Sequence, residues 1–425
     1  MSRILWKHCR TSEHEMVNIL IQGQKIISVG SDEPRADEIF DLSGKIVLPG
    51  MIDPHVHMRD LGQKDKEDWT SGSRAALAGG VTTVFDMPNT VPATLDPETL
   101  ELKRKFAEKS DINYKFYLGA TEGNLDSLQA ILRKNPDDVA GIKVFLAASS
   151  SREVITNRET LVAVCRLARE YDRIVCVHTE LQECIDIWQA STLEPLAVNH
   201  HLLRNRVCAI EGTKICLDIA NEIKCKLYIA HVTTEEEIEL IRVFKNDNRI
   251  YCEVTPHHLL LEHTILEKIG NIGKVNPPLR TERDLAALWQ GIEDGTVDTV
   301  GSDHAPHLLS EKGKPYQQAP AGFPGLETTL PLLINEFNQN RLDLQQIARL
   351  TSGNAARIFD LKEKGRIEPG CSADLSVIDP AAIYRVDPEK FASRARFSPF
   401  AGRELYGKVE MTMVNGSIKF RGDGK

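Results

Sequence analysis

Between residues 49 and 365 the chain repeats one pattern: a short apolar, β-branched run, then a stretch with apolar positions at helical spacing. The short runs fall at 51–55, 81–86, 114–119, 141–145, 174–178, 227–231, 250–255 and 298–303. Helical periodicity lies between them, at 74–77, 100–106, 125–132, 161–171, 212–223, 235–244 and 284–292. Eight strands alternating with helices match a closed (β/α)8 TIM-type barrel better than an open doubly wound sheet.

The two ends of the chain have a different period. Runs at 17–21 and 25–29 are separated by polar turns, and residues 374–378, 407–414 and 416–420 resume the same hairpin-like alternation. This predicts a small β-sandwich built from residues 1–48 and 366–425, flanking a barrel of 49–365.

Composition narrows the class without changing the fold. A 425-residue chain has room for one barrel of about 250 residues plus a smaller domain. A net charge of −9 with no basic block argues against nucleic acid or an anionic membrane as partner. No run approaches the ~18 apolar residues of a membrane span, so a cytoplasmic protein acting on a small molecule is expected. The nine cysteines form no C-x-x-C pair and mostly sit in apolar runs, which reads as reduced core thiols. Any metal is then expected on nitrogen and oxygen.

Candidate chemistry gathers at the carboxyl ends of the predicted strands, where barrels of this kind carry their active sites. His55 and His57 end the first run, two residues apart and so on one side of an extended segment. Lys143 lies in the fourth run, His178 ends the fifth, His231 the sixth and Asp303 the eighth. Each alone has a bland explanation as a structural histidine, a helix cap or a salt-bridge lysine. Together, at five of eight strand ends, they point to a metal centre. Six such groups exceed the ligands of one tetrahedral ion, so two divalent metals, most simply Zn2+, are expected. A lysine carbamylated by carbon dioxide would bridge them as an anionic oxygen ligand, whereas an unmodified Lys143 would leave the second position weakly occupied. A hydroxide between the metals would be the nucleophile, and Asp303 would serve as both ligand and proton relay, the catalytic base and acid.

The order His-x-His, lysine, histidine, histidine, aspartate resembles the amidohydrolase superfamily, in particular the cyclic amide hydrolases: dihydroorotases, dihydropyrimidinases (hydantoinases) and allantoinases. Ser352-Gly353-Asn354-Ala355-Ala356-Arg357 and the 365–375 stretch are similar to that family's return from barrel to sheet domain. Met87-Pro88-Asn89-Thr90, Asn276-Pro277-Pro278-Leu279-Arg280 and Asp303-His304-Ala305-Pro306-His307 with Lys312 resemble the dihydroorotase branch. That resemblance implies a substrate carrying a ring carboxylate, bound by Arg59 with Asn89 and His307. Asn276 and the backbone of Ala321, Gly322 and Phe323 would hold the ring amide. It implies the reversible cyclisation of N-carbamoyl-L-aspartate to L-dihydroorotate in pyrimidine synthesis, a homodimer, and association with aspartate transcarbamoylase as a further partner. The alternatives are an allantoinase or hydantoinase, or a non-catalytic dihydroorotase-like partner of the transcarbamoylase. The 304–325 segment is either a mobile lid or a passive loop.

Overall fold

A computed structural model describes residues 2–149, 153–190, 193–245 and 249–422. Eight parallel strands form the expected barrel: β6 (Met51–Val56), β7 (Val81–Asp86), β8 (Asn113–Gly119), β9 (Val139–Phe145), β10 (Ile174–His178), β11 (Lys226–Ile229), β12 (Ile250–Val254) and β13 (Thr299–Val300). They are hydrogen-bonded in sequence order from β6 to β13. A bridge between Val56 and His304, with His57 N–H donating to the His304 carbonyl at 2.8 Å, brings the two edges together. The strands are buried along almost their whole length, as parallel strands covered on both faces must be, which explains their unbroken apolar character. The eighth is the shortest. Only Thr299 and Val300 pair as strand, and Gly301 to Asp303 continue irregularly into the site.

The termini build two four-stranded sheets. One comprises β1 (Arg3–Cys9), β2 (Val17–Gln22), β3 (Lys25–Gly30) and β4 (Glu38–Asp41). The other joins β5 (Ile46–Pro49) to β14 (Leu375–Arg385), β15 (Glu404–Val414) and β16 (Ser417–Arg421). Trp6, Ile19 and Ile21 from the first pack on Val47, Leu375, Val377 and Met413 from the second, giving the sandwich a core of its own. β1 and β4 lie in stretches where no hairpin periodicity was evident. The single apolar run 46–52 divides between the domains: Ile46–Pro49 pairs with β14, and after Gly50 the chain enters the barrel. Glycine is needed there because a Cβ at residue 50 would lie 2.3 Å from the Thr82 side chain.

The return segment closes the barrel floor. Ser352 Oγ donates to the carbonyls of Pro49 and Gly50 at 3.2 and 3.1 Å, and Ala355, Ala356, Ile358 and Phe359 fill the barrel interior beneath the site. The Phe359 ring meets Phe85 edge-on at 4.8 Å and Tyr228 at 5.5 Å between centroids. The cysteines depart from expectation at one pair. Cys184 and Cys208 form a disulfide with Cα atoms 5.3 Å apart, while the other seven are free and buried. The pair spans 24 residues, and proximity comes from tertiary packing, in which the Leu181 N–H donates to the Cys208 carbonyl at 3.1 Å. Among the described residues no helix is long and apolar enough to cross a membrane.

Because Phe359 is the plug on which Phe85, Tyr117 and Tyr228 converge, Phe359→Ala should cost about 3–5 kcal/mol of stability. Urea denaturation would read this as a lower midpoint, and an unchanged midpoint would show that the floor can collapse around the void.

Candidate metal-binding active site

The sharp exits from the strands set the site's directions. Arg59, His231 and Asp303 all have left-handed backbones, with φ of 59°, 39° and 45°. Such conformations are costly for residues with side chains and are retained where the surroundings over-determine them. Here they turn the side chains over the barrel mouth.

His55, His57 and Asp303 form one cluster. Their donor atoms all lie within 4.8 Å of one another, with Asp303 Oδ1 at 3.3 Å from His55 Nε2 and 3.2 Å from His57 Nε2. Ligand bonds of ~2.0–2.1 Å in a tetrahedron put neighbouring donors about 3.3 Å apart, so this spacing fits a divalent cation. His178 and His231 form a second cluster, with Nδ1 of the first 3.0 Å from Nε2 of the second. Lys143 lies beneath both. It is fully buried, its Nζ is 3.6 Å from Cys176 Sγ, and its charge acts on all four histidines.

The far ring nitrogens determine what the near ones can do. His55 Nδ1 is 2.7 Å from Glu253 Oε1 and His57 Nδ1 is 2.7 Å from Asn89 Oδ1. His178 Nε2 is 3.0 Å from Glu180 Oε2. Each acceptor takes an imidazole N–H, which assigns the proton to the far nitrogen and leaves a lone pair facing the cavity. Burial, reinforced by neighbouring cationic groups, lowers all four imidazoles, His55 to about 3 and His57 and His231 well below their usual value. At neutral pH they are uncharged donors.

Two buried carboxylates in this arrangement were not singled out from the sequence. Burial pushes the Glu253 carboxyl up to about 8, opposed by the Tyr228 O–H at 2.8 Å and the His231 N–H at 3.3 Å. Gly301 makes room for it, since a Cβ there would lie 2.4 Å from Glu253 Oε2. Burial also acts to raise Glu180, but Arg204, 2.6 Å away, and His178 outweigh it and hold the carboxyl well below the ordinary range. Both had a signal: Glu253 is a charged residue inside an apolar strand run, and Glu180 stands two residues after a strand-end histidine.

The remaining predicted residues divide. Arg59 is buried, donates from Nε to the Pro306 carbonyl at 3.2 Å, and has no carboxylate within 4.0 Å among the described residues. Burial lowers it to about 10, so it remains a cation at neutral pH. His307 lies beside it, with Nε2 3.2 Å from Arg59 Nη2 and 3.1 Å from the Ala321 carbonyl; its Nδ1 faces the Lys66 ammonium at 3.3 Å. Each His307 nitrogen thus faces both a cation and an acceptor: Arg59 and the Ala321 carbonyl at Nε2, Lys66 and Glu311 at Nδ1, the last at 3.6 Å. Asn89 is engaged behind His57, as a support for a candidate ligand. Asn276 and the backbone of Ala321 and Gly322 line the cavity with the four histidines and Asp303. Phe323 does not; its ring packs edge-on against His257 at 4.8 Å and joins a core with Val275, Leu279 and Phe397.

That cavity measures about 20 Å3 and opens beside a cleft of about 620 Å3. Ser149, Asn276 and Ala321 line both spaces, and Asn276 Nδ2 donates to Ser149 Oγ at 3.2 Å across the partition.

Comparison with known proteins follows the same lines. The amidohydrolase family model matches residues 46–419. A dihydroorotase of Methanosarcina mazei is 36% identical over 412 residues, covering 94% of this chain and 90% of the relative. A dihydroorotase of Methanosphaera stadtmanae is 33% identical over 429 residues, covering 98% and 96%. Among solved structures, the L-hydantoinase (dihydropyrimidinase) of Arthrobacter aurescens superposes with a TM-score of 0.94 at 28% identity, covering 98% of this chain and 96% of that one. A match across both the barrel and the strands that flank it, with relatives this similar along their full length, leaves one assignment: the chain belongs to the amidohydrolase family.

Proposed function

We propose that this chain is a dihydroorotase, interconverting N-carbamoyl-L-aspartate and L-dihydroorotate at a two-metal centre in a barrel of residues 49–365, with the sandwich of 1–48 and 366–425 as its support. The observation that carries the choice of substrate is Arg59, a buried guanidinium without an anionic partner among the described residues, beside a centre built for amide hydrolysis. A buried unpaired cation is costly, and a ring carboxylate compensates it with the planar geometry a guanidinium favours. Dihydroorotate carries that carboxylate; hydantoin and dihydrouracil do not. The dihydroorotases among the relatives support the same choice.

His55, His57 and Asp303 would hold one divalent ion, His178 and His231 the other, and Lys143 as a carbamate would join them. Zn2+ suits this nitrogen and oxygen set. Bound there, the metals would supply Lewis acidity toward the ring carbonyl and a nucleophile from water near neutral pH.

The protein's own residues do the rest. Arg59 binds the ring carboxylate and fixes the face that the amide presents. Asn276 and the Ala321–Gly322 backbone hold the ring amide, and closure of the partition by Asn276 and Ser149 excludes bulk water. In ring opening, Asp303 takes the proton of the attacking oxygen and delivers it to the amide nitrogen as the carbon–nitrogen bond breaks. In cyclisation it takes a proton from the carbamoyl nitrogen as that nitrogen attacks the carboxyl carbon, and returns it to the departing carboxylate oxygen, which leaves as hydroxide and takes a second proton from solvent to become water.

The purified, metal-analysed protein should deplete dihydroorotate, followed by its ultraviolet absorbance, and leave allantoin and dihydrouracil unchanged; turnover of allantoin without dihydroorotate would reject the assignment. Arg59→Met should lower kcat/KM for dihydroorotate by about 10- to 150-fold, the value of a charge-assisted hydrogen bond of roughly 1.5–3 kcal/mol. Asp303→Asn should reduce kcat by about 10^2–10^4 while the circular dichroism spectrum is retained. Chelation should abolish turnover, with zinc readdition restoring it; full activity in metal-free protein would exclude the proposed centre.

A further inference from the structure

One buried cation near the site has no part in this chemistry. Lys312 is 2% exposed, and its Nζ donates to the carbonyls of Lys274, Pro320 and Gly322 at 3.2, 3.0 and 2.9 Å. An ammonium has three N–H bonds, and these three acceptors use them all. No carboxylate of the described residues lies within 4.0 Å of it, and its remaining neighbour is the Phe397 ring, 5.7 Å from Nζ.

The three carbonyls belong to two loops. Lys274 stands two residues before Asn276, after the seventh barrel strand, whereas Pro320 and Gly322 flank Ala321 after the eighth. The Gly322 N–H donates to the same Lys274 carbonyl at 2.9 Å, so that oxygen accepts from both the ammonium and the opposite loop. Lys274 reinforces the seam by donating from its own Nζ to the carbonyls of Tyr316 and Ala319, each at 2.7 Å. At its inner side the loop is pressed on the cavity wall, where a Cβ at Gly322 would lie 2.7 Å from that of Ala305.

Three carbonyl dipoles aimed at one point repel each other, and each buried oxygen left unbonded is costly. Their convergence is held by the N–H donors of Lys312 at its centre. Without them, the 320–322 backbone would turn its oxygens toward water and move away from Asn276.

On the dihydroorotase reading, we propose that Lys312 is a positioning residue for substrate: its ammonium ties the two ring-binding loops together and sets the place of the Ala321–Gly322 backbone opposite Asn276. Lys312 touches neither metal donors nor substrate. Because the loops hold the ring alike in ground and transition states, its loss should raise KM and leave kcat nearly unchanged.

The test uses the full-length, metal-loaded protein with Lys312→Met and Lys312→Arg, read by metal content, steady-state kinetics and hydrogen exchange at the Gly322 amide. The Met variant should keep its metal and its kcat within about threefold, raise KM for dihydroorotate about 10- to 100-fold, and speed exchange at Gly322 by at least about tenfold. Lys312→Arg should recover part of both effects. If the Met variant does not fold, Lys312→Gln, neutral but still an N–H donor, is read in the same way. Unchanged KM and unchanged Gly322 exchange would overturn the proposal, as would a fall in kcat accompanied by metal loss. Should the wild-type protein fail to turn over dihydroorotate, the functional assignment fails by itself, and Gly322 exchange alone then decides whether Lys312 fastens the loops.

Discussion

Four imidazoles and a lysine cannot share a dry cavity as cations, and they are of use there only if each ring presents a lone pair inward. Hydrogen bonds on the outer side of three of the rings, those of His55, His57 and His178, enforce this. Glu253 takes the proton of His55, Asn89 that of His57 and Glu180 that of His178. Buried carboxylates are costly in isolation: the Arg204 guanidinium offsets that cost at Glu180, whereas at Glu253 burial outweighs the donors from Tyr228 and His231 and pushes the carboxyl up to about 8. The geometry of the mouth depends on these bonds because an imidazole with the wrong tautomer would point an N–H at the position a metal must take.

The barrel exists, in this respect, to bring those partners together from distant parts of the chain. His55 and Glu253 are 198 residues apart, and the edge joined by Val56 and His304 sets the first strand beside the eighth. The sandwich and the floor plug serve the same end from below. Ser352 fastens the return segment to the Pro49–Gly50 crossing, directly under the strand that carries His55 and His57. Displacement of the floor would therefore be transmitted to the two histidines through six residues of extended chain.

Much of this was legible in the sequence because a parallel strand reports itself as a short apolar run and its last residue reports the mouth. His55, His57, His178, His231 and Asp303 stand at such ends, and Lys143 lies within the fourth run. What was not legible depends on partners chosen by tertiary structure. Nothing local shows that the Asn89 side chain meets His57 or that the Phe323 ring packs on His257. The 46–52 run is broken at Pro49-Gly50, but nothing in it says that its two halves serve different sheets. Cys184 and Cys208 lack any close spacing, and only the packing of two helix starts brings them to bonding distance. Lys312 looked like part of a motif, but its role in joining loops depends on carbonyl groups that carry no side-chain signature.

Fold similarity and sequence similarity point to different members of one family. The backbone superposes on a hydantoinase with a TM-score of 0.94 at 28% identity, whereas dihydroorotases are 33% and 36% identical along nearly the whole chain. A shared barrel and flanking sheets explain the first likeness, since one fold can carry different activities. It says little about which ring is opened. That depends on charge at the flank of the centre, where Arg59 is buried against the Pro306 carbonyl beside a neutral His307. A site made for an uncharged ring would have no reason to retain an unpaired guanidinium there, because removing it would recover its desolvation cost without loss of substrate binding. Retention of that cation is therefore the strongest physical argument, independent of any relative's name, that the ring opened here is an anion.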